Sequence, residues 1–69
     1  MYTVIGTQNC GKCNYTKKIL EQKAIPYIYK LFTDLSEEQQ FKYLDIAKQN
    51  EVQSFPLIFD ELDNLIKEI

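Results

Sequence analysis

The chain has 69 residues, 45% of them hydrophobic, which suffices for one compact domain over residues 1–69 but not for two. Eight basic residues against ten acidic ones give a formal charge of -2 without a long run of either sign, so we expect no nucleic-acid partner. No apolar stretch has membrane-spanning length and the chain does not open with a secretory signal pattern, so we expect a cytoplasmic protein without a membrane partner.

The first half of the chain predicts a strand, a helix and a second strand. Residues 2–5 are aromatic, β-branched and apolar and are followed by Gly6, which is the pattern of a short buried strand. Amphipathic spacing from Lys12 onward predicts a helix, which must end before Pro26 because the residue preceding a proline disfavours helical geometry. Residues 27–32 predict a second strand, which should pair in parallel with the first.

The second half predicts a helix, a third strand and a final helix. Ser36 is placed to cap a helix over residues 37–49, and residues 57–59 are a brief apolar run suited to a third strand. The expected buried positions of that helix are Phe41, Leu44 and Ala47. The tail has apolar residues at helical spacing, namely Leu62, Leu65, Ile66 and Ile69. Asp60 would cap this third helix, giving the order β-α-β-α-β-α.

The only two cysteines, Cys10 and Cys13, carry the candidate chemistry. A bridge that closes so short a loop stabilises a fold little, so a functional role explains the pair better than a structural one. A C-x-x-C pair between a strand and a helix is typical of a redox motif. Free backbone amides at the helix start, together with Lys12, should lower the pKa of Cys10, which we assign as the nucleophile, with Cys13 as the resolving thiol.

Two other interpretations of the cysteine pair are two ordinary thiols and half of a zinc site. Tetrahedral zinc needs four ligands, and the chain offers no histidine and no third cysteine. We therefore expect no metal, and thiol-disulfide exchange requires no organic cofactor.

Two segments resemble the glutaredoxin family. The segment TVIGTQNCGKC, Thr3 to Cys13, resembles the family's first strand and active-site turn, and SFPLIF, Ser54 to Phe59, resembles its threonine-valine-proline segment and the following strand. The resemblance covers nearly the whole chain. It implies an α/β, thioredoxin-like (glutaredoxin-like) three-layer fold with a small mixed sheet, and a cis peptide bond before Pro56.

The same resemblance implies a thiol-disulfide oxidoreductase that reduces protein or glutathione mixed disulfides. Glutathione would be the reducing co-substrate, thioredoxin reductase an alternative reductant, and ribonucleotide reductase an electron acceptor, as for some relatives. We expect a monomer. The candidate substrate-binding residues are Lys12, Phe55, Pro56 and Asp60. Asp60 corresponds by position to the family's glutathione-contacting aspartate, although an N-cap is its simpler role.

Two departures from the family pattern set a second hypothesis beside the first. Gly11 and Lys12 replace the usual proline and aromatic residue, so the family's redox potential does not carry over. After Phe59 the family's fourth strand and glycine-glycine turn look deleted, which indicates a shortened member and leaves glutathione binding open. A third strand with a free edge would suit a redox sensor or protein-binding module without turnover.

Overall fold

Four strands and two α-helices make up the part of the chain that the computed structural model describes, residues 1–67. In chain order they are β1 (Tyr2–Gly6), α1 (Gly11–Gln22), β2 (Tyr27–Leu31), α2 (Glu37–Gln49), β3 (Leu57–Phe59) and β4 (Leu65–Ile66). A short 3-10 helix, Phe32–Asp34, follows β2, so the second strand ends one residue earlier than the sequence predicts. Neither α-helix within this range is long and apolar enough to cross a membrane.

The strands form one mixed sheet in the order β2-β1-β3-β4. β1 pairs in parallel with β2, as predicted, and antiparallel with β3. β3 and β4 form an antiparallel hairpin. The expectation of an α/β chain with a small mixed sheet is therefore confirmed.

The two helices contribute to separate cores on opposite faces of the sheet, because successive strand side chains point to opposite sides. One core consists of Ile5, Leu57 and Phe59 with Ala47 of α2. The other consists of Val4 and Ile58 with Leu20 of α1. Each fully buried aliphatic or aromatic side chain contributes about 1.5–3 kcal/mol, so both helices are held mainly by this packing.

Helix α2 has the predicted bounds, but two of its three predicted core residues are wrong. Phe41 is 71% exposed and Leu44 is 46% exposed, and only Ala47 is buried. Tyr43 and Ile46 pack on the core instead. The rotation of the helix is tied to Gln40, whose side-chain amide donates hydrogen bonds to the carbonyls of Phe32 and Leu35 at 3.0 and 3.3 Å.

The predicted third helix is also wrong over the described residues, because the chain turns back at Asp60 and forms β4. Oδ1 of Asp60 accepts hydrogen bonds from the backbone N–H groups of Leu62 and Asn64 at 2.8 and 3.0 Å. The backbone N–H of Asp60 donates to the carbonyl of Asn64, and Asp63 adopts a left-handed conformation with φ 61°. Asp60 thus caps a hairpin loop instead of a helix. The predicted helical position Ile69 lies outside the described residues.

The hairpin corrects two further expectations. From the sequence we expected the fourth strand to be deleted after Phe59, but a short fourth strand is present. Strand β4 pairs Ile66 with Ile58 and Leu65 with Phe59, so it covers the edge of β3. The free edge that favoured a redox sensor or binding module is therefore not there.

The Asp60→Ala variant should have a loosened β3–β4 hairpin and a lower melting temperature. The N–H groups of Asn64 and Leu62 lower the pKa of the Asp60 carboxyl, although partial desolvation opposes them. A pKa that is depressed in the folded state stabilises the fold above the unfolded-state pKa, and this stabilisation is lost as the pH falls through the folded-state value.

Thermal unfolding of wild type and Asp60→Ala across acidic pH checks this expectation. The difference in melting temperature should be present at neutral pH and should shrink once the carboxyl is protonated. Glu61→Ala is the matched control, because its side chain lies in the same loop but pairs at 3.9 Å with the amino terminus. A difference that stays constant down to the most acidic pH would contradict the proposed role of the carboxylate.

Candidate redox site

Cys10 is the N-cap of α1, at the point where the turn after β1 enters the helix. Its backbone is extended, with φ -104° and ψ 108°, and its Sγ accepts a hydrogen bond from the backbone N–H of Cys13 at 3.1 Å. The carbonyl of Cys10 accepts from the N–H of Asn14 and so begins the helical hydrogen bonding. A sulfur in this position lies at the positive end of the helix dipole, which favours a thiolate over a thiol.

Cys10 and Cys13 form a disulfide in which the two sulfurs differ in accessibility. Their Cα atoms are 5.2 Å apart, a separation typical of disulfides. Cys13 is fully buried, whereas Cys10 is half-buried. This asymmetry is what the predicted roles require, with the reachable sulfur attacking and the shielded one resolving. The roles themselves stay a prediction.

Gly6, at the end of β1, makes room for the resolving sulfur. A Cβ atom built at Gly6 would lie 2.8 Å from Sγ of Cys13 and 2.9 Å from Cε2 of Tyr29, and it would also overlap the Tyr29 hydroxyl. Such approaches are shorter than van der Waals contact. Gly6 is therefore the residue that lets Cys13 and Tyr29 share one small space beside the sheet. By contrast, a Cβ atom at Gly11 would meet nothing within 4 Å.

Tyr29 shares the space beside Gly6 with Cys13, and Lys17 lies over the Tyr29 ring; the sequence alone indicated neither residue. The Tyr29 hydroxyl donates a hydrogen bond of 3.4 Å to the carbonyl of Thr7, and Nζ of Lys17 lies 4.3 Å from the centroid of the Tyr29 ring. Lys17 is four residues after Cys13, so both residues lie on the same face of α1. The available signal was the glycine at the strand end, which leaves space for an aromatic residue of the paired strand.

A groove of about 460 Å³ adjoins the start of α1 and contains three of the predicted substrate-binding residues. Lys12, Phe55 and Pro56 line it together, and the bond between Phe55 and Pro56 is cis, which confirms the expectation from the resemblance. Tyr15, 66% exposed, lies at its rim, so core packing does not explain this side chain. Further lining residues include Thr16, Glu51, Ile58, Ile66 and Lys67.

Asp60 is not brought to this groove. Strand β3 begins next to Pro56 and ends at Phe59, and Phe59 pairs with Thr3 near the start of β1. Asp60 therefore lies at the end of the sheet opposite Gly6 and the cysteines. The structure gives Asp60 a role in the hairpin loop and no contact with the candidate site.

A cavity of about 580 Å³ lies elsewhere, at the C-terminal end of α2. It is lined by residues of α2 and of the segment before β3, among them Leu44, Lys48, Val52, Gln53 and Phe55. Neither cysteine lines this cavity or the smaller groove. The smaller groove is the candidate site because it includes Lys12, which stands between the two cysteines in the sequence, together with Phe55 and Pro56.

Comparison with known proteins adds no family assignment to this geometry. No protein-family model matches the chain, and no curated protein matches its sequence. Within residues 1–67 no three histidine, cysteine, aspartate or glutamate side chains lie together in a way that could hold a metal ion.

Proposed function

We propose that the chain is a glutaredoxin-like thiol-disulfide oxidoreductase that reduces protein or glutathione mixed disulfides through Cys10 and Cys13. The observation that carries the proposal is the hydrogen bond from the Cys13 backbone N–H to Sγ of Cys10. It places a reachable sulfur where a helix stabilises negative charge, bonded to a second sulfur that is fully buried. This combination suits exchange better than it suits a structural bridge.

The proposed cycle transfers two electrons from the cysteine pair to a substrate disulfide. The Cys10 thiolate attacks one substrate sulfur, the substrate disulfide breaks, and the departing thiolate takes a proton from solvent. Cys13 then attacks Sγ of Cys10, the mixed disulfide breaks, and the second substrate sulfur leaves as a thiol with the proton that Cys13 gives up. An external reductant returns the pair to two thiols, so no metal or organic cofactor is needed.

The arrangement of the sheet supports a thioredoxin-like (glutaredoxin-like) fold. The order β2-β1-β3-β4, with β1 parallel to β2 and antiparallel to β3, brings the end of β1, the start of α1 and the Phe55–Pro56 segment to one end of the sheet. The sequence resemblance rests on these same segments. Fold and resemblance thus both support this end of the sheet as the place of the proposed chemistry.

The groove supports a peptide-like thiol or disulfide as the substrate. Its apolar part, which includes Pro56 and Ile58, can hold an extended chain, and its rim carries the positive charge of Lys12 at the cysteines. Glutathione, with two carboxylates, suits this groove as the reductant, and a protein disulfide is the larger substrate. Ribonucleotide reductase as acceptor, thioredoxin reductase as an alternative donor, a monomeric state and a cytoplasmic location all belong to the proposal.

A reduction assay with two electron donors tests the proposed function. The protein is given a small glutathione mixed disulfide or a protein disulfide, and it is regenerated either by glutathione with glutathione reductase or by thioredoxin reductase. NADPH consumption that depends on this protein with either donor supports the proposal. The donor that sustains turnover identifies the reductant, and failure with both donors and both substrates overturns the enzyme assignment.

A further inference from the structure

The burial of Cys13 raises a question about the proposed cycle, on which this inference rests. Cys13 must attack the mixed disulfide as a thiolate, yet its side chain has no exposed surface. Burial among apolar atoms disfavours a thiolate, because a charge loses its hydration there. The protein therefore needs groups beside Cys13 that can hold the negative charge when it forms.

Tyr29 is placed to do this, because its hydroxyl and Sγ of Cys13 both lie next to the position that a Cβ atom would take at Gly6. The hydroxyl donates to the carbonyl of Thr7 in a long hydrogen bond of 3.4 Å. A weak partner of this kind can be exchanged for a better one by rotation of the hydroxyl. A thiolate at Cys13 would be the better acceptor, because hydrogen bonds to charged groups are stronger than neutral ones.

The positive charge of Lys17 makes the Tyr29 hydroxyl a stronger hydrogen-bond donor. Its ammonium group lies 4.3 Å from the centroid of the Tyr29 ring, on the same face of α1 as Cys13. A cation at this position favours negative charge on neighbouring atoms. It also holds the ring, so the hydroxyl stays beside Gly6 when the disulfide opens.

The carboxylates on the elements around Tyr29 and Cys13 include Glu21, Asp34 and Glu51. Asp34 lies in the 3-10 helix after β2 and lines a separate cavity with Tyr29. Strand β1 carries no charged residue, and in β2 Lys30 points to the face opposite Tyr29. On α1, Lys12 lies at the exposed start of the helix, and Glu21, in the last turn, accepts a hydrogen bond from the Tyr27 hydroxyl. Glu51 comes from the segment before β3 and is an exposed side chain that lines the groove.

We propose that Tyr29 and Lys17 are positioning residues that stabilise Cys13 as a thiolate in the step that resolves the mixed disulfide. In that step the Tyr29 hydroxyl donates to Sγ of Cys13, the Cys13 sulfur forms a bond to Sγ of Cys10, and the bond from Cys10 to the substrate sulfur breaks. The electron pair leaves with the substrate sulfur, which takes up the proton that Cys13 gave up and ends as a thiol. Tyr29 then returns its hydrogen bond to the Thr7 carbonyl.

A stopped-flow experiment separates this step from the first attack. The reduced protein is mixed with one equivalent of dithiobis-nitrobenzoate, a disulfide whose released thiolate is coloured. The first rise in absorbance reports attack by Cys10, and the second reports expulsion of the remaining aryl thiolate by Cys13. The Cys13→Ala variant shows which phase belongs to which sulfur, because it lacks the resolving thiol and should show only the first phase.

The variant Tyr29→Phe removes only the hydroxyl. We expect the second phase to become roughly tenfold slower at neutral pH and its pH midpoint to rise by about one unit, with the first phase unchanged. Lys17→Met should slow the second phase by about threefold, and Lys17→Arg should restore it. The matched controls are Tyr27→Phe and Lys18→Met. The wild-type Tyr27 hydroxyl donates a hydrogen bond to Glu21 and not toward Cys13, so both variants should leave the two phases unchanged.

Two results would overturn the inference while leaving the proposed function intact. One is a second phase in Tyr29→Phe that has the wild-type rate and pH profile. The other is an equal slowing of both phases, which would indicate a general disturbance of the site. A wild-type protein that shows no first phase would instead overturn the proposed function, and this inference with it.

Discussion

The Cys10→Ser variant should lose disulfide reduction, with a fall in turnover of at least about a thousandfold. A serine hydroxyl at the helix start keeps the hydrogen bond from the Cys13 N–H but is not deprotonated near neutral pH. It therefore cannot attack a disulfide. The coupled NADPH assay measures the loss, and circular dichroism shows that the variant remains folded.

The Cys13→Ser variant is the matched comparison, because it removes the other sulfur of the same disulfide. It should still form a mixed disulfide at Cys10 but should not release the substrate from it. Incubation with a protein disulfide should thus accumulate a covalent adduct, detectable by mass spectrometry. Full turnover of a protein disulfide by Cys10→Ser, or an adduct on Cys13 in wild type, would reverse the assignment of the two sulfurs.

The Gly6→Ala variant should be the most disruptive substitution outside the cysteines. The added methyl group would overlap Sγ of Cys13 and the ring and hydroxyl of Tyr29, so one of these groups must move. Crowding of this kind in a packed interior typically costs about 1–3 kcal/mol of folding free energy. For a domain of this size each kcal/mol lowers the melting temperature by roughly 4–8 °C.

Gly11→Ala is the control for Gly6→Ala, because its Cβ atom meets nothing within 4 Å and lies on the first residue of α1. It should leave stability unchanged or raise it slightly, since alanine favours the helix over glycine. The double variant Gly6→Ala with Tyr29→Phe should recover part of the loss by freeing the space of the hydroxyl. Equal melting temperatures for Gly6→Ala and Gly11→Ala would contradict the packing described at Gly6.

Most of the fold could be predicted because its signals are local. Pro26 and Ser36 fix a helix end and a helix start whatever lies elsewhere in the chain. Ser36 does accept a hydrogen bond from the N–H of Gln39, at 3.3 Å. The position of the cysteine pair between a strand and a helix follows from the same kind of pattern.

The tail could not be predicted because two structures share its local signal. An aspartate that caps a helix and an aspartate that caps a turn both accept hydrogen bonds from backbone N–H groups a few residues ahead. What decides between them is the pairing of Leu65 and Ile66 with β3, a contact between segments that spacing does not reveal. The same limit hid the rotation of α2, which depends on where Gln40 finds its carbonyl partners.

The sequence indicated the two cysteines of the candidate site but not the residues that pack around them. Cys10 and Cys13 are recognisable from spacing, whereas the approach of Tyr29 to Cys13 depends on the register of β1 against β2. That register places Tyr29 opposite Val4, two residues before the partner of Gly6. No single segment contains this information.

The pH dependence of alkylation at Cys10 tests most directly whether its sulfur is held as an anion by the helix. The Cys13→Ser variant is suitable, because Cys10 is then the only thiol of the chain and the backbone N–H of residue 13 remains. We expect the iodoacetamide reaction to have a pH midpoint between about 3.5 and 7.5, below the value of about 8.5 for a free cysteine. A midpoint of about 8.5, or a folded protein in which Cys10 does not react at all, would contradict the account.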